Sequence, residues 1–153
     1  WMSVENMRIV AKNMTDALVK IDSNGKDYYQ ANYRKLDAEL AAFADSLRQV
    51  LAPVRGQAFV VWHPALSYFA RDYGLEQIGI EYEGKEAPAG LVAEKMKEAR
   101  KKNARVFFMQ TGAGSRQAET VCAGIGLRRV EINPLSYDWK KEMRRIADGI
   151  TSE

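Results

Sequence analysis

A chain of 153 residues with 46% apolar content is the size of one domain able to bury a core, which excludes a disordered tail. Lys and Arg number 23 against 20 Asp and Glu, a formal charge of +3, and the clusters Arg100-Lys101-Lys102, Arg128-Arg129 and Arg144-Arg145 are scattered among acids. Without a basic stripe and interleaved aromatics, no nucleic-acid partner is expected. Neither end has an apolar run that could span a bilayer or a signal-sequence pattern, and the opening residue is Trp1, so a fragment of something longer is expected. The single cysteine, Cys122, lies in an apolar helical pattern and is read as a small buried hydrophobe with no internal disulfide.

Ser3 can cap a first helix whose apolar face runs Met7, Val10, Met14, Leu18 and Ile21, ending at the Asp22-Ser23-Asn24-Gly25 turn. The second helix carries Tyr29, Tyr33, Leu36, Leu40, Phe43, Leu47 and Val50 at alternating spacings of four and three. It would run roughly 35 Å at 1.5 Å per residue and stop before Pro53. Such a stripe fits a coiled-coil dimer or, more commonly, an amphipathic helix lying along its own domain. Four short apolar runs follow, at 58–62, 77–80, 106–109 and 129–132. Helical spacing joins Leu66, Phe69 and Tyr73; Leu91, Met96 and Ala99; Ala118, Val121, Cys122 and Ile125; and Trp139, Met143, Ile146 and Ile150. This alternation predicts an α/β fold: a four-stranded parallel sheet flanked by helices through right-handed crossovers, preceded by the long amphipathic helix.

Ligands of open parallel sheets bind outside the carboxyl ends of the strands. The candidates are therefore His63-Pro64, Gly84-Lys85-Glu86, Gln110-Thr111-Gly112-Ala113-Gly114, and Asn133-Pro134 leading to Asp138. His63, the only histidine, is followed by Pro64 as a natural first helical residue. Its imidazole would point into the crevice as a neutral metal ligand, a general base, or a group hydrogen-bonded to a neighbouring loop. Asp138 fits an N-cap of the last helix, yet one His and one carboxylate at strand ends are also two ligands that zinc accepts. Two ligands do not close a tetrahedral site. The turn from Thr111 to Ser115 resembles a phosphate cradle but lacks a full dinucleotide or P-loop spacing, so a plain turn capped by Ser115 accounts for it. Glu86 has no acid/base partner in the sequence, and no serine has the setting of a hydrolase nucleophile. No enzyme is expected; an α/β enzyme or a nucleotide-binding domain using the Gly112-Ala113-Gly114 turn is the alternative.

The string Val60-Val61-Trp62-His63-Pro64-Ala65-Leu66-Ser67-Tyr68-Phe69-Ala70, then Tyr73-Gly74-Leu75 and Gly84-Lys85-Glu86-Ala87-Pro88, resembles the zinc- and manganese-type solute-binding proteins of ABC importers, whose two lobes are joined by a rigid helix. Trp1-Met2-Ser3-Val4-Glu5-Asn6, Tyr28-Tyr29 with Asn32-Tyr33, Val106-Phe107-Phe108-Met109-Gln110, and Asn133-Pro134-Leu135 with Asp138-Trp139 and Met143 extend the resemblance, in order, over essentially the whole chain.

The resemblance implies a divalent metal held between two lobes by a His of the amino-terminal lobe, a second His near the lobe junction, a third residue matched by His63 and a carboxylate matched by Asp138. Manganese-type members tend to carry Glu at the third position, so His63 tilts the expected metal toward zinc. It also implies that residues 1–25 form a helix from the lobe junction, 26–52 the interlobe backbone helix, and 53–153 the carboxyl-terminal metal-binding lobe. The expected partner is the membrane permease of an ABC importer, and the expected location the periplasm or the extracellular surface, with a lipid anchor in the full-length protein as one form. The chain departs from the pattern in lacking the amino-terminal lobe and in keeping only the Trp of an acidic-Pro-His-x-Trp motif. Val4 stands where Pro is frequent and Ala87 where Ser is frequent. A fully liganded zinc is worth roughly 10–16 kcal/mol, so with half the ligands this chain should bind weakly and the intact protein tightly. Apolar surface meant for the missing lobe would favour self-association.

Overall fold

The computed structural model describes residues 1–112 and 116–152, apart from the side chain of Ile125. The chain divides into two compact units, one of Trp1 and Ser3–Gln49, the other of Met2 and Val50–Glu153.

The first unit is a pair of helices. Helix α1, Val4–Ile21, starts where expected, because Ser3 Oγ accepts the Asn6 N–H at 3.0 Å. It ends at the expected turn, where Asp22 accepts the Gly25 N–H at 3.2 Å and the Tyr29 hydroxyl at 2.9 Å. Helix α2, Lys26–Leu51, has 26 residues, about 39 Å at 1.5 Å per residue. It stops before Pro53, which sits in a 3₁₀ turn, Ala52–Val54. The Arg8 guanidinium forks onto Asp37 at 2.7 and 3.0 Å, tying α1 to α2. Arg48 adds a second tie by pairing with Glu5 while also holding Asp45. Leu40 and Leu47 of the α2 stripe are buried, whereas Val10, Met14, Leu18 and Ile21 of the α1 face are exposed.

The second unit alternates strand and helix: β1 Ala58–Val61, α3 Ser67–Tyr73, β2 Glu76–Gly79, α4 Ala89–Lys101, β3 Val106–Gln110, α5 Arg116–Ile125, β4 Arg128–Ile132 and α6 Trp139–Thr151. Every strand edge lies within a residue of the expected one. All pairings are parallel, in the order β2-β1-β3-β4. The four-stranded parallel α/β sheet is thus as read from the sequence. Its order reverses direction between β1 and β3, which makes the crevice at their carboxyl ends a topological switch point.

One expectation fails locally. Pro64 does not open α3; it lies in a turn in which Ala65 N–H donates to the His63 carbonyl at 2.7 Å. The helix starts three residues later, at Ser67, and the Leu66 N–H just before it donates to the Gln77 side chain at 2.8 Å. The Ser115 cap and the Gly112-Ala113-Gly114 cradle fall partly or wholly on 113–115, outside the described residues.

Period-two alternation divides the sheet between two packed faces. Ala58, Val60, Trp62, Ile78, Ile80, Phe107 and Met109 form one cluster with Val92 and Ala99 of α4 and Ala118 and Val121 of α5; half-buried Cys122 packs against it. Burial pushes the Cys122 thiol up, which suits a packing group and not a reactive thiolate. On the other face Phe59 and Phe108 meet edge to face at 5.6 Å. Gly149 lets α6 approach there so closely that a Cβ would stand 3.0 Å from the Phe108 ring.

Candidate metal site at the strand ends

The β1 and β2 ladder continues past the strands. Ile80 N–H donates to the Val61 carbonyl at 3.1 Å and Glu81 N–H to the Trp62 carbonyl at 3.0 Å. Partners along this pair differ by 18 in number, from Ala58 with Glu76 to Val61 with Gly79. The same offset brings His63 opposite Glu81, and their side chains meet: His63 Nδ1 is hydrogen-bonded to Glu81 Oε2. Trp62 and Ile80, the residues before them, belong to the cluster on the α4 and α5 face. Gly79 leaves room for Pro64, because a Cβ there would come within 3.1 Å of the Pro64 ring.

The backbone of His63 is held independently. Gln110, the last residue of β3, donates from Nε2 to the His63 carbonyl at 2.7 Å and accepts the His63 N–H on Oε1 at 3.3 Å. This two-point clamp spans the switch point between β1 and β3. The His63 side chain is 55% exposed and the Glu81 side chain 14%, so the carboxylate is the more buried member of the pair. Among the described residues nothing hydrogen-bonds to His63 Nε2.

Asp138 lies elsewhere. It caps α6, accepting the Lys141 N–H at 3.4 Å. It also lines an open cavity of about 520 Å³ with Lys141, Arg144 and Arg145; His63 is not part of that lining. Sheet order puts β3 between β1 and β4, so the strand ends preceding the two candidates are about 10 Å apart at 4.8 Å per strand. The preceding loop is fixed by Glu142 of α6, which accepts the Asn133 N–H at 2.7 Å while Asn133 Oδ1 accepts the Leu135 N–H at 3.1 Å. Among the described residues no three His, Cys, Asp or Glu side chains form a metal-holding group.

The third candidate segment is a hairpin. Tyr82 and Lys85 exchange backbone hydrogen bonds at 3.1 and 2.9 Å across Glu83 and Gly84, both at positive φ, the pattern of a type I′ turn. The carboxylate that the β2 end contributes is therefore Glu81, not Glu86. Sequence reasoning missed it because it searched beyond the turn. The signal that would have found it is the constant offset of parallel partners, readable only once β1 and β2 are known to be neighbours.

An imidazole with one ring nitrogen engaged by a carboxylate and no hydrogen bond to the other among the described residues, at the switch point of an open parallel sheet, gives the second unit the layout of an α/β ligand-binding lobe. The zinc-uptake complex component A (periplasmic) family model matches residues 1–152, and the chain belongs to that family. It is 28% identical over 144 residues to the high-affinity zinc uptake system protein ZnuA of Bacillus subtilis, covering 93% of this chain and 45% of that protein. It is also 28% identical over 153 residues to the zinc-binding protein AdcA of Streptococcus pyogenes, covering 99% of this chain and 30% of that one. A ZnuA crystal structure superposes with a TM-score of 0.91 at 32% identity, over 99% of this chain and 59% of the other. A ZnuA deletion mutant with zinc bound gives 0.88 at 31%, over 100% and 60%. The chain thus spans less than half the length of these curated relatives. The family description is that of a periplasmic uptake component, not of a catalyst.

Proposed function

We propose that this chain is the carboxyl-terminal part of a high-affinity zinc-binding solute-binding protein that hands its metal to the membrane permease of an ABC importer, in the periplasm or at the extracellular surface. It has no catalytic role. The observation that carries the reading is His63, clamped at the switch point with Nδ1 engaged, its side chain 55% exposed and Nε2 without a hydrogen bond among the described residues. Neutral imidazole nitrogen is a ligand zinc favours, which ranks manganese second. Asp138 is the proposed second ligand, and its side chain or loop would have to leave the cap and close the gap toward β1. The remaining ligands would come from the part of the relatives' length that the match leaves uncovered. In the same reading 1–25 come from the lobe junction, 26–52 are the backbone helix between lobes, and 53–153 are the metal-binding lobe.

Calorimetric zinc titration tests this on the 153-residue chain and on a chain lengthened by the amino-terminal part that its relatives carry. The lengthened protein should bind one zinc tightly and the shorter chain feebly. His63→Ala should weaken the lengthened protein about a hundredfold or more, since a full ligand set is worth about 10–16 kcal/mol; Asp138→Ala should weaken it as well. Indifference of the lengthened protein to both zinc and manganese would sink the assignment. Unchanged affinity in both variants would return His63 to a hydrogen-bonded loop residue and Asp138 to a helix cap.

A further inference from the structure

We infer that Glu81 is a positioning residue for the metal: it keeps the proton of neutral His63 on Nδ1 and so presents the Nε2 lone pair to the cation. The inference rests on the reading of His63 as a ligand, and it adds a residue outside the proposed ligand set.

Three observations converge on it. Backbone hydrogen bonds from Ile80 and Glu81 to the Val61 and Trp62 carbonyls carry the β1–β2 contact up to the residue before His63, which brings the Glu81 side chain to the imidazole. The Glu81 side chain is only 14% exposed, and among the described residues no Lys or Arg pairs with it. A carboxylate largely withdrawn from water without a cationic partner is costly, and a divalent cation held through the imidazole it touches would offset that cost. The His63 side chain is 55% exposed with Nδ1 on Glu81, and among the described residues no hydrogen bond competes for Nε2.

Chemistry sets the direction of the effect. A carboxylate can only accept, so an uncharged imidazole bonded to it through Nδ1 must carry its proton there, leaving Nε2 as the unprotonated, metal-competent nitrogen. The carboxylate also restricts ring rotation, and removing such a partner typically costs about 10–100-fold in metal affinity. The Gln110 clamp on the His63 backbone acts separately, because it fixes the residue but not the ring.

The test combines tautomer and affinity. Imidazole ¹⁵N shifts of the metal-free 153-residue chain are recorded about two pH units above the ordinary histidine pKa of about 6.5, for the parent, Glu81→Ala and Glu81→Gln. Zinc alone is then titrated into the lengthened protein with and without the same substitutions and into its His63→Ala variant, with thermal melts to verify folding. The parent should hold the Nδ1–H tautomer. Glu81→Ala should shift it toward Nε2–H and weaken zinc by about 10–100-fold. Glu81→Gln, whose carbonyl still accepts from Nδ1–H, should keep the tautomer and lose less. A parent in the Nε2–H form, or Glu81→Ala with unchanged tautomer, overturns the inference. So does Glu81→Ala with unchanged affinity while His63→Ala weakens binding. Unchanged affinity in His63→Ala would instead remove the ligand reading on which it rests.

Discussion

The two compact units are held together by different physics. The sheet unit buries Phe59, Phe69, Phe107 and Phe108 completely and ties its loops with glutamines. Besides the clamp of Gln110 on His63, Gln117 accepts the Ala87 N–H at 3.0 Å and donates to its carbonyl at 2.8 Å. The helical unit buries Val4, Leu40, Ala44 and Leu47 but adds the Arg8–Asp37 fork and the Arg48 pairs, and leaves Val10, Met14, Leu18 and Ile21 of α1 exposed. Dry packing is insensitive to salt and pH, whereas partly exposed ion pairs weaken with both. The difference also shows where precision is needed. The candidate ligand His63 sits on the sheet unit, where Gln110 holds its backbone and Glu81 its ring, the support required of a group that must meet a metal at a fixed distance.

The largest expected effect comes from breaking the sheet unit. Phe108→Ala removes the ring that meets Phe59 and faces Gly149 and should cost about 3–5 kcal/mol, read as a fall in the urea midpoint. A loss below about 1 kcal/mol would mean that the core is less dry than the packing implies.

A smaller effect, confined to the helical unit, should come from acid. The Arg8 guanidinium holds the Asp37 carboxyl below its ordinary value. A group whose folded-state pKa is depressed contributes stability fully present above its unfolded value, about 3.9, and lost as pH falls through the lower folded value. Amide protection of α1 and α2 should therefore drop below about pH 4 in the parent. In Asp37→Asn protection should already be lower at neutral pH, with that acid step missing. Raising the salt concentration should narrow the difference between the two proteins. Equal acid profiles would remove the fork from the stability of this unit.

The smallest effect is expected at Met14, which is 62% exposed. Met14→Lys should change monomer stability by no more than about 0.5 kcal/mol. Sedimentation should show whether it also reduces self-association of the chain through the α1 face; a parent that stays monomeric at high concentration would remove that expectation.

Local signals carried the elements. Ser3 closes the first N–H groups of α1 by its own side chain, Pro53 cannot continue α2, and apolar runs bounded by turns marked all four strands within a residue. The place of His63 after β1 was legible for the same reason, as was the capping role of Asp138, which needs only its neighbour three residues on.

What stayed hidden required knowing which distant segments touch. Pro64 has the local chemistry of a first helical residue, yet it lies in a turn and the helix starts at Ser67, after a Leu66 whose N–H donates to Gln77, eleven positions on. Glu81 is one acid among many until β1 and β2 are aligned in register. By itself, then, the sequence determined the alternation of strand and helix, the parallel α/β class and the position of the one imidazole, because caps, breakers and hydrophobic period act over a few residues. Only the tertiary structure decided the strand order β2-β1-β3-β4, the pairing of His63 with Glu81 and the clamp by Gln110. Those depend on hydrogen bonds between segments far apart in the chain, for which neither period nor propensity carries a signal.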